Sequence, residues 1–160
     1  MPITPFHLGP GMLLGMIFFR FVNLPTFLAA SIIADIEPFL VIVLGLDYPL
    51  HGFFHSFLGG SILALIVSLF LSRFKRSADK MMDFFKMKQE MSSRNVFIAA
   101  FSGVYLHIFL DSFLYTDIRP FFPIDANPIY GLVSYSEVIL FCVASFVFGI
   151  LLSGYRLTKK

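Results

Sequence analysis

The run from Leu24 to Leu46 is apolar and long enough to cross a bilayer, yet Asp35, Glu37 and Pro38 stand in its middle. A carboxylate at membrane depth is costly unless it faces the protein interior and finds a partner. Proline removes a helical hydrogen bond and kinks or breaks the helix where it sits. Irregular backbone is tolerated at that depth only where protein buries it or it lines a wet cavity. The chain must therefore pack other helices around this segment and offer partners to its acids.

The remaining apolar runs supply those helices. Thr4-Pro5 reads as a helix start that puts His7 in the first turn. The run from about Leu8 to Val22 is roughly 22 Å long, short for a span, so it is tilted or re-entrant. Pro10 is expected to bend it, and Gly11 and Gly15 offer a close-packing face. Further runs cover His51 to Leu71, Asn95 to Tyr115, and a last stretch to about Ser153 that Ser134 and Glu137 open as a capping box. Hydrophobic residues make up 58% of the 160 and charged residues 14%, which a soluble domain of this size could not cover. The expected fold is all-α: a polytopic membrane helix bundle of about five apolar segments forming one domain, residues 1–160.

Charge placement sets the expected orientation. The connector from Arg73 to Arg94 carries Arg73, Lys75, Arg76, Lys80, Lys86, Lys88 and Arg94 interleaved with Met and Phe. It reads as a basic amphipathic helix on the cytoplasmic surface. With Arg156, Lys159 and Lys160 on the same side, the N-terminus and the 45–51 and 116–131 loops fall outside. Met1 to Phe6 lacks the length and charge of a signal-peptide n-region, so no cleavage is expected. The formal charge of +2 does not suggest nucleic acid, and the single Cys142 excludes an internal disulfide.

This orientation places His7, His51, His55, His107 and Asp111 in the outer half of the bilayer, with Asp35 and Glu37 near mid-depth. None of these residues was needed to derive it. His51/His55 and His107/Asp111 are i, i+4 pairs, a spacing that puts two ligands on one helix face. The expected metal ligands are His51, His55, His107 and Asp111, completed by His7 and Asp35. Glu37 is a candidate general base, Asp35 a second acid in catalysis, and Arg119 a candidate clamp for a substrate phosphate. Imidazole with carboxylate suits zinc, while more carboxylate would favour manganese or a dinuclear centre.

Thr4-Pro-Phe-His7, Asp35-Ile-Glu37-Pro38, His51-Gly-Phe-Phe-His55-Ser56 and His107-Ile-Phe-Leu-Asp111 occur in the order of a known pattern. In that order the chain resembles the small prokaryotic membrane-bound metal-dependent hydrolases, one branch of which is described as LexA-binding and inner-membrane-associated. It departs from their His-Arg-Gly-x-Thr-His-Ser element: aligned on Gly52 and His55, His51 falls where they carry Arg, and Phe54 replaces Thr. The resemblance implies a metal-dependent hydrolase of the inner membrane.

Together these readings predict hydrolysis of an ester or phosphoester in an amphiphilic or lipid-linked substrate by metal-activated water. The alternative is a metal-ion or proton transporter using the same cluster; as a single copy of five segments without a repeat, it would need a homo-oligomer.

Overall fold

The structure is a computed structural model that describes residues 4–89 and 92–159. All regular elements among them are helical. A 3-10 turn, Thr4–His7, leads into α1 (Leu8–Ile17). Next come α2 (Leu24–Ala30), a 3-10 turn at Ile33–Asp35 and α3 (Ile36–Leu44). Another turn, Phe53–His55, precedes α4 (Phe57–Arg73) and α5 (Lys75–Phe84), and α6 (Ser93–Ser112) and α7 (Tyr135–Thr158) complete the bundle. Leu24–Leu44, α6 and α7 are each long and apolar enough to cross a membrane, and α4 with the bent α5 makes a fourth candidate.

Side-chain caps fix several boundaries. Asn23 accepts from Thr26, Ser56 from Gly59 and Ser92 from Asn95 at the starts of α2, α4 and α6. The capping box forms at α7: Glu137 N donates to Ser134 Oγ, and Ser134 N donates to Glu137 Oε2. Each such cap contributes about 1 kcal/mol.

α6 lies between α2 and α4, while α1 bridges α2 and α7. The core between α2, α4 and α6 is built from small or branched side chains, Ala30, Ala34, Leu63, Ala64, Val104 and Ile108. Close approach explains the glycines: a Cβ on Gly103 would lie 2.7 Å from both Ala30 Cβ and the Phe27 carbonyl oxygen. Large apolar side chains instead point outward, among them Leu69 and Phe70 of α4 and Leu140, Phe148 and Leu151 of α7. In a bundle of such spans that surface is the lipid face.

Hydrogen bonds sort the connections into two ends. At one, Gln89 joins the 18–24 turn, Asn95 O accepts from Asn23 N, and Arg156 donates to the Met16 carbonyl. At the other, Phe57 N donates to Pro120 O and His51 N to Asp117. The 20 residues of α6 separate these ends by about 30 Å. The basic connector and the C-terminal end of α7 thus share one end, and the 45–56 and 113–134 segments share the other.

Three local expectations change. Pro10 occupies the first turn of α1, where its missing N–H costs little, so it does not break the helix. The third span begins at Phe57 instead of His51, because Ser56 caps it. His51 and His55 therefore do not share a helical face: His51 lies in the preceding bend and His55 ends a 3-10 turn.

Candidate metal centre

The break in the second span creates the site. α2 ends at Ala30, the backbone tightens into the 3-10 turn, and α3 restarts at Ile36. Pro38 lies in the first turn of α3, where no helical donor is required of it. On a continuous helix residues i and i+2 would diverge. The break directs Asp35 toward α6 and Glu37 toward the turn before α4.

One ligand atom each from Asp35, His55, His107 and Asp111 lie within 4.8 Å of one another. His107 and Asp111 come from successive turns of α6, with His107 Nε2 3.3 Å from Asp111 Oδ2 and 3.8 Å from Asp35 Oδ1. His55 and His107 are fully buried and Asp111 nearly so. His7 flanks the group, its ring stacked on His107 at 4.2 Å between centroids and its Nε2 3.0 Å from Asp111 Oδ1.

Hydrogen bonds determine what faces inward. His107 Nδ1 lies 2.8 Å from the Ser31 carbonyl oxygen, which accepts only, so Nδ1 carries the proton. In the neutral ring Nε2 is then a lone pair aimed at two carboxylates. His55 Nδ1 donates likewise to Glu37 Oε2 at 2.9 Å, turning its own Nε2 inward. His55 Nε2, His107 Nε2 and Asp35 Oδ2 are buried without a hydrogen bond. Buried lone pairs that face one another are unfavourable unless a proton, a water or a metal ion lies between them. Adjacent ligands on a tetrahedral zinc are about 3.3 Å apart, so a modest contraction would close this group. The donor set fits a divalent ion.

The expected residues divide by role. Glu37, anticipated as a base, is occupied as an acceptor: besides His55 it receives Gly52 N and Phe54 N, holding the turn in place. A carboxylate behind a histidine is the arrangement that orients metal ligands. His51 stands beside the group, its Nδ1 turned to Asp117 at 3.0 Å and its ring on Tyr115, although it remains edge-on to His55. Arg119 is paired with Asp125 at 2.8 Å in an exposed loop.

Burial lowers the His55 pKa, and the hydrogen bond to Glu37 only partly opposes it. Burial raises that of Asp117, but the His51 hydrogen bonds outweigh it and hold the carboxyl below its usual range.

Sequence reasoning missed two anchors. Ser31 contributes a backbone carbonyl, which any residue type offers. Asp117 lies in a loop, where no periodicity relates it to His51.

The family described as YdjM inner membrane protein matches residues 1–159. No curated protein and no solved structure matches the chain.

Proposed function

We propose that the chain, which belongs to the YdjM inner membrane protein family, is a metal-dependent hydrolase of an ester or phosphoester in an amphiphilic substrate. The observation that carries this is the pair of imidazoles whose Nδ1 atoms are engaged and whose bare Nε2 atoms converge with Asp35 and Asp111. Asp35, His55, His107 and Asp111 hold the ion, and His7 steadies Asp111 from behind. Glu37 and the Ser31 carbonyl orient the two imidazoles. These donors would suit zinc, and a divalent ion held there would supply Lewis-acid polarisation and an acidified water. Asp35, with Oδ2 unpaired, accepts the proton. Arg119 swings from Asp125 to bind substrate phosphate. With the basic end in the cytoplasm by the positive-inside rule, the centre lies in the outer half of the bilayer.

A second reading draws on the break itself, since discontinuous helices place ion sites in transporters. Elemental analysis of purified wild-type, His55→Ala and His107→Ala protein separates these from an ion-free structural cluster. The hydrolase reading expects about one divalent ion per chain, lost in both variants, together with cleavage of members of an ester and phosphoester lipid panel. Metal-loaded protein that cleaves none of them, yet gives proteoliposome metal flux abolished by Asp35→Asn, establishes transport instead. Wild-type protein that takes up no ion at all refutes both.

A further inference from the structure

The opposite end of the bundle holds a second polar feature, remote from the His/Asp group. A cleft of about 820 Å³ opens between the 18–23 turn, residues 86–89 and the end of α7. Arg20, Lys88, Arg156 and Lys159 line it along with Lys86, and no acid among the described residues does. Its wall is constructed, because Gln89 is buried with every polar group engaged. The Gln89 side-chain amide donates to the Phe19 and Val22 carbonyls and accepts from Leu24 N and Asn23 Nδ2.

Arg156 is the telling residue. Its guanidinium sits 4.7 Å over the Phe19 ring and donates to the Met16 carbonyl, while its Nε is buried without a hydrogen bond. No carboxylate is paired with it among the described residues. Like charges around one cleft repel, and a guanidinium drawn into protein without a counter-charge is costly. An anion in the cleft would relieve both, and phosphate oxygens match an arginine fork in geometry as well as charge. The surroundings suit a headgroup: Phe21 beside the turn and Phe84 and Phe85 of the connector are exposed apolar groups at the same end.

We propose that this cleft binds a phosphate-bearing anion, either the headgroup of an anionic phospholipid or a soluble phosphate. The test uses the full-length protein in uncharged detergent, with exposure of the buried Cys142 thiol reporting unfolding on heating. Dioctanoyl phosphatidylglycerol, dioctanoyl phosphatidylcholine, glycerol phosphate and inorganic phosphate are titrated separately. The expected result is saturable stabilisation by the anionic lipid, weakened about tenfold or more in apparent affinity by Arg20→Gln/Lys159→Gln. Both side chains are exposed, and Arg73→Gln/Arg76→Gln serves as a charge-matched control that leaves affinity unchanged. Stabilisation by the lipid alone identifies a membrane headgroup, whereas equal stabilisation by inorganic phosphate identifies a soluble ligand. Equal response to phosphatidylcholine, equal weakening by both double variants, or no response to any probe overturns the proposal.

Discussion

Glu37→Gln tests how the proposed metal centre is organised, because the two roles considered for this side chain predict different losses. Glu37 receives three donors, Gly52 N at 3.1 Å, Phe54 N at 3.2 Å and His55 Nδ1 at 2.9 Å. Gln keeps the shape but brings one oxygen and an NH2 group, so at least one N–H must face a donor instead of an acceptor. If the amide oxygen stays with His55, the turn loses an anchor. If it stays with the turn, the imidazole loses its orientation and its carboxylate. Loss of such a partner typically costs 10- to 100-fold in metal affinity, or about 1.4–2.7 kcal/mol. Competition with a chromogenic zinc chelator reads this directly, with Cys142 reactivity as the check that the variant is folded. Zinc affinity equal to wild type in folded Glu37→Gln, with turnover reduced, would refute the positioning role and restore Glu37 as a general base.

Gly103→Ala forces a methyl group against Ala30 and the Phe27 carbonyl. It should destabilise the bundle by about 1–3 kcal/mol, read as earlier Cys142 exposure on heating. Asp117→Asn should lower stability at neutral pH. Because the folded carboxyl titrates below its unfolded value of about 3.9, the Asp117 contribution is present above that pH and lost as pH falls through the lower folded value. The variant should therefore show a shallower loss of stability than wild type below about pH 4. Arg119→Ala removes a pair that is 57% and 74% exposed, so melting should be almost unchanged. On a phosphorylated substrate, KM should rise with kcat preserved, and unchanged KM would remove Arg119 from substrate binding.

Much of this architecture was legible because bilayers punish ambiguity. Apolar runs, basic flanks and the Ser134/Glu137 box specified α6, α7 and the sharing of ends, since each depends on local composition. His107 and Asp111 were legible as a pair for the same reason: α6 is regular across both, so spacing becomes geometry. The His51/His55 pair failed on the same rule, because Ser56 caps α4 downstream of both and the helix that would align them never forms there. Glu37 was ambiguous in principle. The sequence contained the Pro38 break but not the direction in which the unwound backbone would aim each acid, which depends on the turn at Phe53–His55 packed against it.

The break and the centre are mutually dependent. An uninterrupted Leu24–Leu44 helix would satisfy its own backbone and send Asp35 and Glu37 to different neighbours, leaving at least one carboxylate facing lipid. The 3-10 turn costs helical hydrogen bonds, and in exchange Asp35 meets His107 while Glu37 meets His55, so neither acid is stranded. That accounts for the acids alone. It leaves His55 Nε2, His107 Nε2 and Asp35 Oδ2 buried together without a hydrogen bond, with His107 Nε2 facing the Asp111 carboxylate at 3.3 Å. The Gln89 side chain, by contrast, has both its amide oxygen and its amide nitrogen engaged. These inward-facing nitrogen and oxygen atoms of the His/Asp group, brought together by the break, are the donor set on which the proposed cation site rests.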